Sequence, residues 1–393
     1  MPVDLPPQNE ASESADQADQ SVKTTEAAPP IQETKNIMES INDFLAKFSS
    51  IPISEKLFFI QNLGIMLKAG ISLSVALKTL TKQTNNKRFA KIINDISKNV
   101  EKGVSFTESL RPHEKIFGQL FVNMIESGEI SGKLEEVLKR LYIQFKKNHE
   151  LLSKVKGALT YPAVILFAMS GIGIFMMVAV VPKITAMFKD FDAELPMATK
   201  IIIKVSDSLV ANGLLYLVGL VISALIIVQL IKTKKGKYLF HGLLLKLPIF
   251  SPIIKKINLA RFARTISSLL KTDIMIIKSF QITASILGNV YYRDALNEMS
   301  NKIKKGGTIN EIIANYPKLF PPIVTQMISV GEETGELDFI LEELAEFYEG
   351  EIDQTMNNLP AIIEPVLILV LGLVVGGMAV AIIMPMYSLT SAI

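Results

Sequence analysis

Residues 161–181 read YPAVILFAMSGIGIFMMVAVV and contain no charged side chain. A second uncharged stretch, GLLYLVGLVISALIIVQLI, covers residues 213–231, and no charge follows Pro365. An α-helix rises about 1.5 Å per residue, so roughly 20 apolar residues match a hydrocarbon core of about 30 Å. Buried helices of soluble proteins usually keep a polar face over such a length. The sequence therefore predicts transmembrane helices at residues 161–182, 213–231 and 361–386.

The composition is typical of a chain that lies partly inside and partly outside a membrane. Of its 393 residues 49% are hydrophobic, and the mean hydropathy is +0.35. The absence of cysteine excludes disulfides, thiolate catalysis and cysteine-based metal clusters. The histidines are too far apart in sequence to suggest a metal site, and the net charge of +3 does not favour nucleic acid. We therefore expect no cofactor, no metal and no direct contact with nucleic acid.

The distribution of lysine and arginine predicts how the chain is oriented. Basic residues cluster before the first span and after the second, whereas the segment between these spans balances its lysines with acids. Cytoplasmic segments next to membrane helices carry the excess of positive charge. The cytoplasmic side is therefore predicted to hold residues 36–160 and 232–360. The outer side is predicted to hold the loop 183–212 and the tail 387–393.

The N-terminal segment has a different character. Residues 1–35 are rich in Glu, Asp, Gln, Ser and Pro, and they lack the basic and apolar blocks of a signal peptide. They cannot bury enough apolar surface to offset chain entropy, so we predict a disordered acidic tail. An apolar stripe follows and predicts a short helix that docks on the first domain or lies at the membrane surface, and docking is the preferred interpretation. The members of the stripe are Ile37, Ile41, Phe44, Leu45 and Phe48.

The chain repeats itself with an offset of 203 residues and no gap. Residues 128–132 read Gly-Glu-Ile-Ser-Gly, and residues 331–335 read Gly-Glu-Glu-Thr-Gly. The prolines that bracket the first span, Pro162 and Pro182, recur as Pro365 and Pro385. Internal repeats of this kind indicate duplicated structural units. The sequence thus predicts two repeated cytoplasmic helical-bundle domains, each running into a transmembrane helix, with the second span as a connector.

Each copy is expected to be helical throughout. Apolar residues recur at i, i+3, i+4 and i+7 over residues 73–80 and 89–100, and no alternating strand pattern occurs. Residues 105–108 and 308–311 are predicted to be capping boxes at helix starts. Helix breaks are predicted at Gly70, Gly103, around Pro112 and at residues 128–132. The predicted fold class is therefore an all-α membrane protein.

The Gly-Glu-x-Ser/Thr-Gly motif, which we call the corner, is the candidate site. Its first glycine is expected to end a helix, its Ser or Thr to cap the next, and its second glycine to let the helices approach closely. Two interpretations stay open: a tight turn inside the bundle, or a surface that binds a partner. The candidate residues are Gly128, Glu129, Gly132, Gly331, Glu332 and Gly335.

Glu364 is an acid at the edge of the third span. Acids within membranes are functional candidates by default. Its repeat counterpart is Tyr161, near the predicted cytoplasmic end, so solvation at the membrane surface and a helix–helix hydrogen bond are equally good interpretations. Gly372 and Gly376 form a small-xxx-small face suited to close helix packing.

Taken together, these features resemble the type II secretion system F family. The resemblance is carried by the duplicated domain, the corner, Tyr161-Pro162, Val181-Pro182, Glu364-Pro365 and the loop 187–199, and it covers about residues 50–393. Many members begin with an aromatic and glycine-rich segment, which an acidic stretch replaces here. Members of this family form the inner-membrane platform of type II secretion systems, type IV pili and competence pseudopili.

The resemblance implies a non-enzymatic, multi-pass protein of the inner (cytoplasmic) membrane that couples a cytoplasmic ATPase to pilin insertion. The sequence has no G-x-x-x-x-G-K-[ST] loop and no dinucleotide fingerprint, so we do not expect it to hydrolyse ATP. The implied partners are a secretion or pilus ATPase, pilins or pseudopilins, other inner-membrane assembly proteins, the lipid bilayer and further copies of the chain. A small transporter and a membrane scaffold unrelated to pili are the alternatives, although transporters usually have more spans.

Overall fold

The computed structural model describes residues 51–189 and 197–390. Within these ranges the regular structure is helical and no strand occurs, as the sequence predicts. The predicted acidic tail and the apolar stripe at residues 37–48 lie outside the described residues.

Six α-helices of the first copy precede a long seventh. They are α1 (Ile53–Lys68), α2 (Leu73–Gln83), α3 (Lys87–Glu101), α4 (Phe106–Leu110), α5 (Glu114–Phe117) and α6 (Gln119–Ser131). A short 3₁₀ turn, Arg111–His113, joins α4 to α5 around the predicted break at Pro112. Gly70 and Gly103 follow α1 and α3 with φ of 80° and 85°, a left-handed conformation that glycine adopts without a steric penalty.

The second copy repeats this order. Its helices are α11 (Phe250–Leu270), α12 (Ile276–Ile286), α13 (Val290–Ile303), α14 (Ile309–Ala314), α15 (Pro322–Thr334) and α16 (Leu337–Thr390). The connecting region holds α7 (Leu134–Phe175), a π-helical turn Met176–Val180, α8 (Val181–Lys189), α9 (Met197–Lys232) and α10 (Lys234–Leu244).

Three helical segments of the described chain are long and apolar enough to cross a membrane: Leu134–Ala186, Thr199–Lys232 and Leu337–Val380. They include the predicted spans 161–182 and 213–231 completely and residues 361–380 of the third. The first and third spans are not separate helices, because α7 and α16 begin inside the bundles and continue into the apolar stretch without interruption. Their first turns bury one face, for example Leu138 and Leu341, and the helix becomes apolar on all sides only later.

The segment between the first two spans is more helical than expected. Residues 183–212 were predicted as a loop, but α8 continues to Lys189 and α9 begins at Met197. Asn212, where the loop was expected to end, has non-helical φ and ψ of −122° and 18° within α9. The hydroxyl of Ser206 donates to the carbonyl of Met177 at 2.5 Å and so satisfies an acceptor in the π-helical turn.

Each copy has its own apolar core. The first contains a chain of phenylalanine contacts, in which Phe117 lies 5.0 Å from Phe121 and 5.8 Å from Phe59 between ring centroids. In the second core Phe320 lies 5.3 Å from Phe262 and 5.5 Å from Tyr292. Burying such rings away from water is the main term that stabilises each bundle.

The two copies also touch each other, through what we call the inter-copy contact. Leu269, Ile274 and Ile282 of the second copy belong to the core of the first. The hydroxyl of Ser127 donates to the carbonyl of Thr272 at 2.5 Å, and a lysine–glutamate pair, Lys278 with Glu126, lies beside it. The duplicated domains are therefore packed on one another rather than joined only by the chain.

Candidate functional site

Each corner joins the last short helix of a copy to its long helix. In the first copy α6 ends at Ser131, and Gly132 takes a left-handed conformation with φ of 71°. The amide of Lys133 then donates to the carbonyl of Gly128 at 2.8 Å, which ends the helix in a tight turn. Gly335, with φ of 75°, has the same left-handed conformation at the end of α15.

The first glycine of each corner is a point of close approach. A Cβ atom built on Gly128 would lie 2.8 Å from Cγ2 of Val137 on α7. A Cβ atom on Gly331 would lie 3.2 Å from Cβ of Ile340, the repeat counterpart of Val137. Both glycines are buried inside a helix, where the lack of a side chain lets the long helix fold back closely.

The glycine roles expected from sequence were therefore reversed. The first glycine, and not the second, permits close approach, whereas the second ends the helix. Ser131 was expected to cap the following helix, but its hydroxyl donates backwards to the carbonyl of Ser127 at 2.8 Å. The sequence pattern located the turn, but it did not reveal which glycine the neighbouring helix would contact.

Glu129 reaches across the first bundle to the start of α4. Its carboxylate accepts hydrogen bonds from the amides of Phe106 and Thr107, at 2.6 and 2.9 Å, and from the hydroxyl of Thr107 at 2.6 Å. The side chain of Ser105 accepts from the amide of Glu108 at 3.2 Å, as predicted for the capping box. A carboxylate at a helix start satisfies amides that lack an intrahelical acceptor and complements the helix dipole.

Glu332 makes the equivalent contacts in the second copy. Its carboxylate accepts from the amides of Ile309 and Asn310, at 2.8 and 3.1 Å. Thr308 accepts from the amide of Glu311, again as the capping box predicts. The two corners are thus the same device: the glutamate of the motif fixes a helix that lies 23 residues earlier in the chain.

In each corner the residue directly after the inward glutamate is exposed. Ile130 is 84% exposed, which is unusual for a large apolar residue next to a tight turn. Its counterpart in the second copy is Glu333, also exposed. Any partner that approaches the first corner would meet Ile130 before it meets the carboxylate of Glu129.

From the corners the long helices α7 and α16 run side by side towards the membrane segments. Two ion pairs join them: Lys147 with Glu349 at 3.5 Å, and Lys154 with Asp353 at 2.5 Å. A polar cleft of about 260 Å³ lies between the helices and is lined by these side chains. The first and third membrane segments are therefore linked just before they begin.

A buried arginine, which sequence reasoning missed, connects α11 to α16. The guanidinium of Arg264 has a side chain only 10% exposed and donates to both carboxylate oxygens of Glu349, at 2.9 and 3.0 Å. Glu342 and Glu346 lie at 3.7 and 3.8 Å on the same face of α16. Two signals in the sequence could have indicated this network. One is an arginine within an apolar pattern, and the other is the spacing of acids at i, i+4 and i+7 on a later helix. The first copy has Gln61 at the position of Arg264, so the repeat gave no guide.

Glu364 lies on α16 and is exposed. No hydrogen bond or ion pair joins it to another residue in the part of the chain that the structure describes. Gly372 and Gly376 are also exposed, and a Cβ atom on either would meet no atom within 4 Å. Within the described ranges the small-xxx-small face is therefore not used for packing in the single chain. The described residues contain no cluster of His, Asp or Glu suited to a metal ion.

Comparison with known protein families gives a family that matches both copies. The family described as "Type II secretion system (T2SS), protein F" matches residues 59–182 and again residues 262–385. The two matches are offset by the same 203 residues that relate the copies in the sequence.

Individual relatives cover most of the chain. The type IV pilus assembly protein PilC of Thermus thermophilus is 36% identical over 331 residues, which is 84% of this chain and 81% of that protein. The PilC of Myxococcus xanthus is 33% identical over 365 residues, or 93% and 87% of the two chains. The type II secretion system protein F of Aeromonas hydrophila is 28% identical over 360 residues, or 92% of each chain.

Proposed function

The chain belongs to the type II secretion system protein F family, and from that premise we propose that it is a non-enzymatic inner-membrane platform for the assembly of a type IV pilus or a secretion pseudopilus. In this proposal it couples a cytoplasmic ATPase to the insertion of pilins or pseudopilins. The observation that carries the proposal is the continuity of α7 and α16 from the corners into the membrane segments. A force applied to either bundle would reach the bilayer through one unbroken helix.

The ion pairs between α7 and α16 support a joint movement of the two membrane segments. The side chains of Lys154 and Asp353 are each about half exposed to solvent, so this ion pair contributes little to stability, about 0–1 kcal/mol. Its position matters more than its energy, because it lies near the point where both helices enter their apolar stretches. A movement of one long helix would be passed to the other before either reaches the lipid.

Topology is the first test of this proposal. Reporter fusions near Gly236 and Pro360 are expected to be cytoplasmic, whereas fusions at Asn212 and at the C-terminus are expected to be external. The physical reason is the excess of lysine and arginine beside residues 154 and 234 and its absence after the third span. Paired alkaline phosphatase and fluorescent protein fusions provide the measurement. A cytoplasmic C-terminus would contradict the arrangement of three spans.

Binding to an ATPase is the second test. The full chain in lipid nanodiscs is expected to bind the assembly ATPase of its own system and to hydrolyse no ATP alone. Ile130→Glu is expected to weaken this binding roughly tenfold if the exposed corner contacts the ATPase, since it places a charge in an apolar contact. Surface-immobilised nanodiscs with the ATPase in solution give the affinity.

The repeat supplies a matched control for this substitution. Ile143→Glu also exchanges an exposed isoleucine for glutamate, and both positions carry glutamate in the second copy, as Glu333 and Glu346. Both variants are therefore expected to fold, and only Ile130→Glu is expected to affect binding. Equal affinity for the two variants would remove the corner from the contact. Failure of the unsubstituted chain to bind the ATPase would overturn the coupling proposal itself.

A further inference from the structure

The inter-copy contact is formed by two complementary faces, one from each copy. One is the turn at residues 270–274 of the second copy, between α11 and α12, which carries Thr272 and the buried Ile274. The other is the surface of α6 and α7 in the first copy, which presents Ser127 and Gln144. The Ser127 hydroxyl bonds to the Thr272 carbonyl, and the Gln144 amide donates to the Thr265 hydroxyl at 3.0 Å.

The first copy has the same turn with no partner in the described chain. At residues 66–71 the amides of Gly70 and Ile71 donate to the carbonyls of Leu67 and Met66, each at 3.0 Å. The equivalent bonds in the second copy, from Asp273 to Leu270 and from Ile274 to Leu269, measure 3.0 and 3.2 Å. Asp273 even keeps the positive φ of its glycine counterpart, at 60° against 80°. The turn is thus formed alike in both copies, but Ile71 is 39% exposed where Ile274 is 8% exposed.

The second copy has the same receiving surface, also uncovered. Val330 on α15 and Phe347 on α16 are the repeat counterparts of Ser127 and Gln144. Phe347 is 46% exposed, whereas Gln144 is 7% exposed in the inter-copy contact. An aromatic side chain left open at the position of a covered one indicates that this face also meets a partner.

The turn at residues 66–71 and the α15 and α16 surface are called the free faces here. At one pair of positions both free faces differ from their counterparts in the inter-copy contact. Within the chain, Glu126 pairs with Lys278 across the inter-copy contact. Their counterparts on the free faces are Ser329 and Val75, so both charges are missing at once. Bringing the free faces together in the same arrangement would therefore leave neither half of this ion pair without its partner, and it would join Val330 to the turn beside Ala69 and Ile71.

We propose that two copies of this chain associate head to tail by repeating the inter-copy contact between molecules. The turn at residues 66–71 of one chain docks on the α15 and α16 surface of the next. The contact is heterologous, because each chain uses a different face towards each of its two neighbours. Contacts of this kind form a closed ring when the rotations between successive chains add up to a full turn.

The arrangement is compatible with one shared bilayer. Each bundle precedes its own membrane helix, α7 or α16, so both copies enter the membrane in the same direction. Parallel repeats in one membrane are related by an axis along the membrane normal. The same rotation about the membrane normal, applied from the second copy of one chain to the first copy of another, keeps both chains in the same orientation.

Cross-linking between differently tagged chains tests the proposal. One full-length chain carries Ala69→Cys and the other carries Val330→Cys, and the two are co-expressed in the same membranes. The natural chain contains no cysteine, so the introduced thiols react without competition. A short bismaleimide is expected to give a mixed dimer that contains both tags. Neither variant expressed alone is expected to cross-link, because each contributes only one of the two faces.

An internal pair serves as the positive control. Ser127→Cys with Thr272→Cys in one chain places thiols at the same relation inside the molecule, and it is expected to cross-link within the chain. A reacting internal pair with no mixed dimer would overturn the proposal. A product of Ala69→Cys with itself would also overturn it, since that product requires a symmetric contact.

A substitution on either free face gives an independent measurement. Phe347→Glu is expected to weaken self-association about tenfold or more, because it places a charge in an apolar contact. Light scattering of the detergent-solubilised chain provides the mass, and thermal unfolding establishes that the variant is folded. Tyr238→Glu, at an exposed aromatic residue outside both faces, is the control and is expected to leave the mass unchanged. An unchanged mass for folded Phe347→Glu would remove this face from the contact.

Discussion

Replacing Arg264 with alanine is expected to lower the free energy of unfolding by about 3–5 kcal/mol, the usual cost of breaking a buried, hydrogen-bonded ion pair. The guanidinium is the shared partner of Glu342, Glu346 and Glu349, which lie on one face of α16. Without it the two bonds to Glu349 are lost and three like charges face one another. Lys271, which also bonds Glu342, and Lys147, which pairs with Glu349, compensate for two of these charges but not for Glu346.

Two further variants separate charge from packing. Arg264→Lys keeps the charge but loses the two-pronged geometry, so it is expected to cost less than Arg264→Ala. Arg111→Ala removes an exposed arginine from its pair with Glu126 and is expected to cost about 0–1 kcal/mol. Pulse proteolysis of the detergent-solubilised chain measures all three. Equal stability of the Arg264→Ala and Arg111→Ala variants would contradict a structural role for the buried network.

The combination Arg264→Ala with Glu349→Ala completes a double-mutant cycle. Because the second substitution removes the charge that the first leaves unpaired, the double variant is expected to be less destabilised than the sum of the single ones. Additive effects would indicate that Arg264 stabilises α11 through packing alone, without the ion pair.

Much of the fold followed from the sequence because its signals are local or repeated. Uncharged stretches identify membrane segments wherever they lie, and a gapless repeat transfers information from one copy to the other. The left-handed turns at Gly70 and Gly103 were predictable for the same reason, since few residues other than glycine adopt that conformation easily. The continuity of α7 through Pro162 was not, because proline usually suggests a helix boundary.

The turn at each corner could be predicted from the sequence, but the contacts of its glutamate could not. The partners of Glu129 lie more than 20 residues away, and no pattern along the chain links them. The Arg264 network depends on which faces of α11 and α16 meet, and the copies differ at that position. Contacts of this kind depend on tertiary packing, which a single sequence does not specify.

Replacing Glu129 with alanine is expected to lower the free energy of unfolding of the first bundle by about 2–3 kcal/mol, because two amides at the start of α4 and the Thr107 hydroxyl lose a charged acceptor together. Glu129→Gln is expected to be nearly as damaging, since an amide group offers one acceptor oxygen and turns its NH₂ towards another donor. Glu332→Ala is expected to cost less, because Glu332 accepts two hydrogen bonds where Glu129 accepts three.

Glu108→Ala is the matched control for this prediction. It removes the same charge from the same helix start, and its effect is expected to stay within about 1 kcal/mol, the usual contribution of a charge to the helix dipole. Hydrogen exchange at the amides of Phe106 and Thr107 provides a local measurement, and faster exchange is expected in Glu129→Ala but not in Glu108→Ala.

These outcomes also separate the two interpretations of the corner. A capping glutamate predicts a loss of stability in the purified chain, with ATPase binding reduced only through that loss. If Glu129→Ala leaves stability and exchange unchanged but abolishes ATPase binding, the carboxylate is a contact for the partner, and its hydrogen bonds to α4 contribute nothing that folding requires.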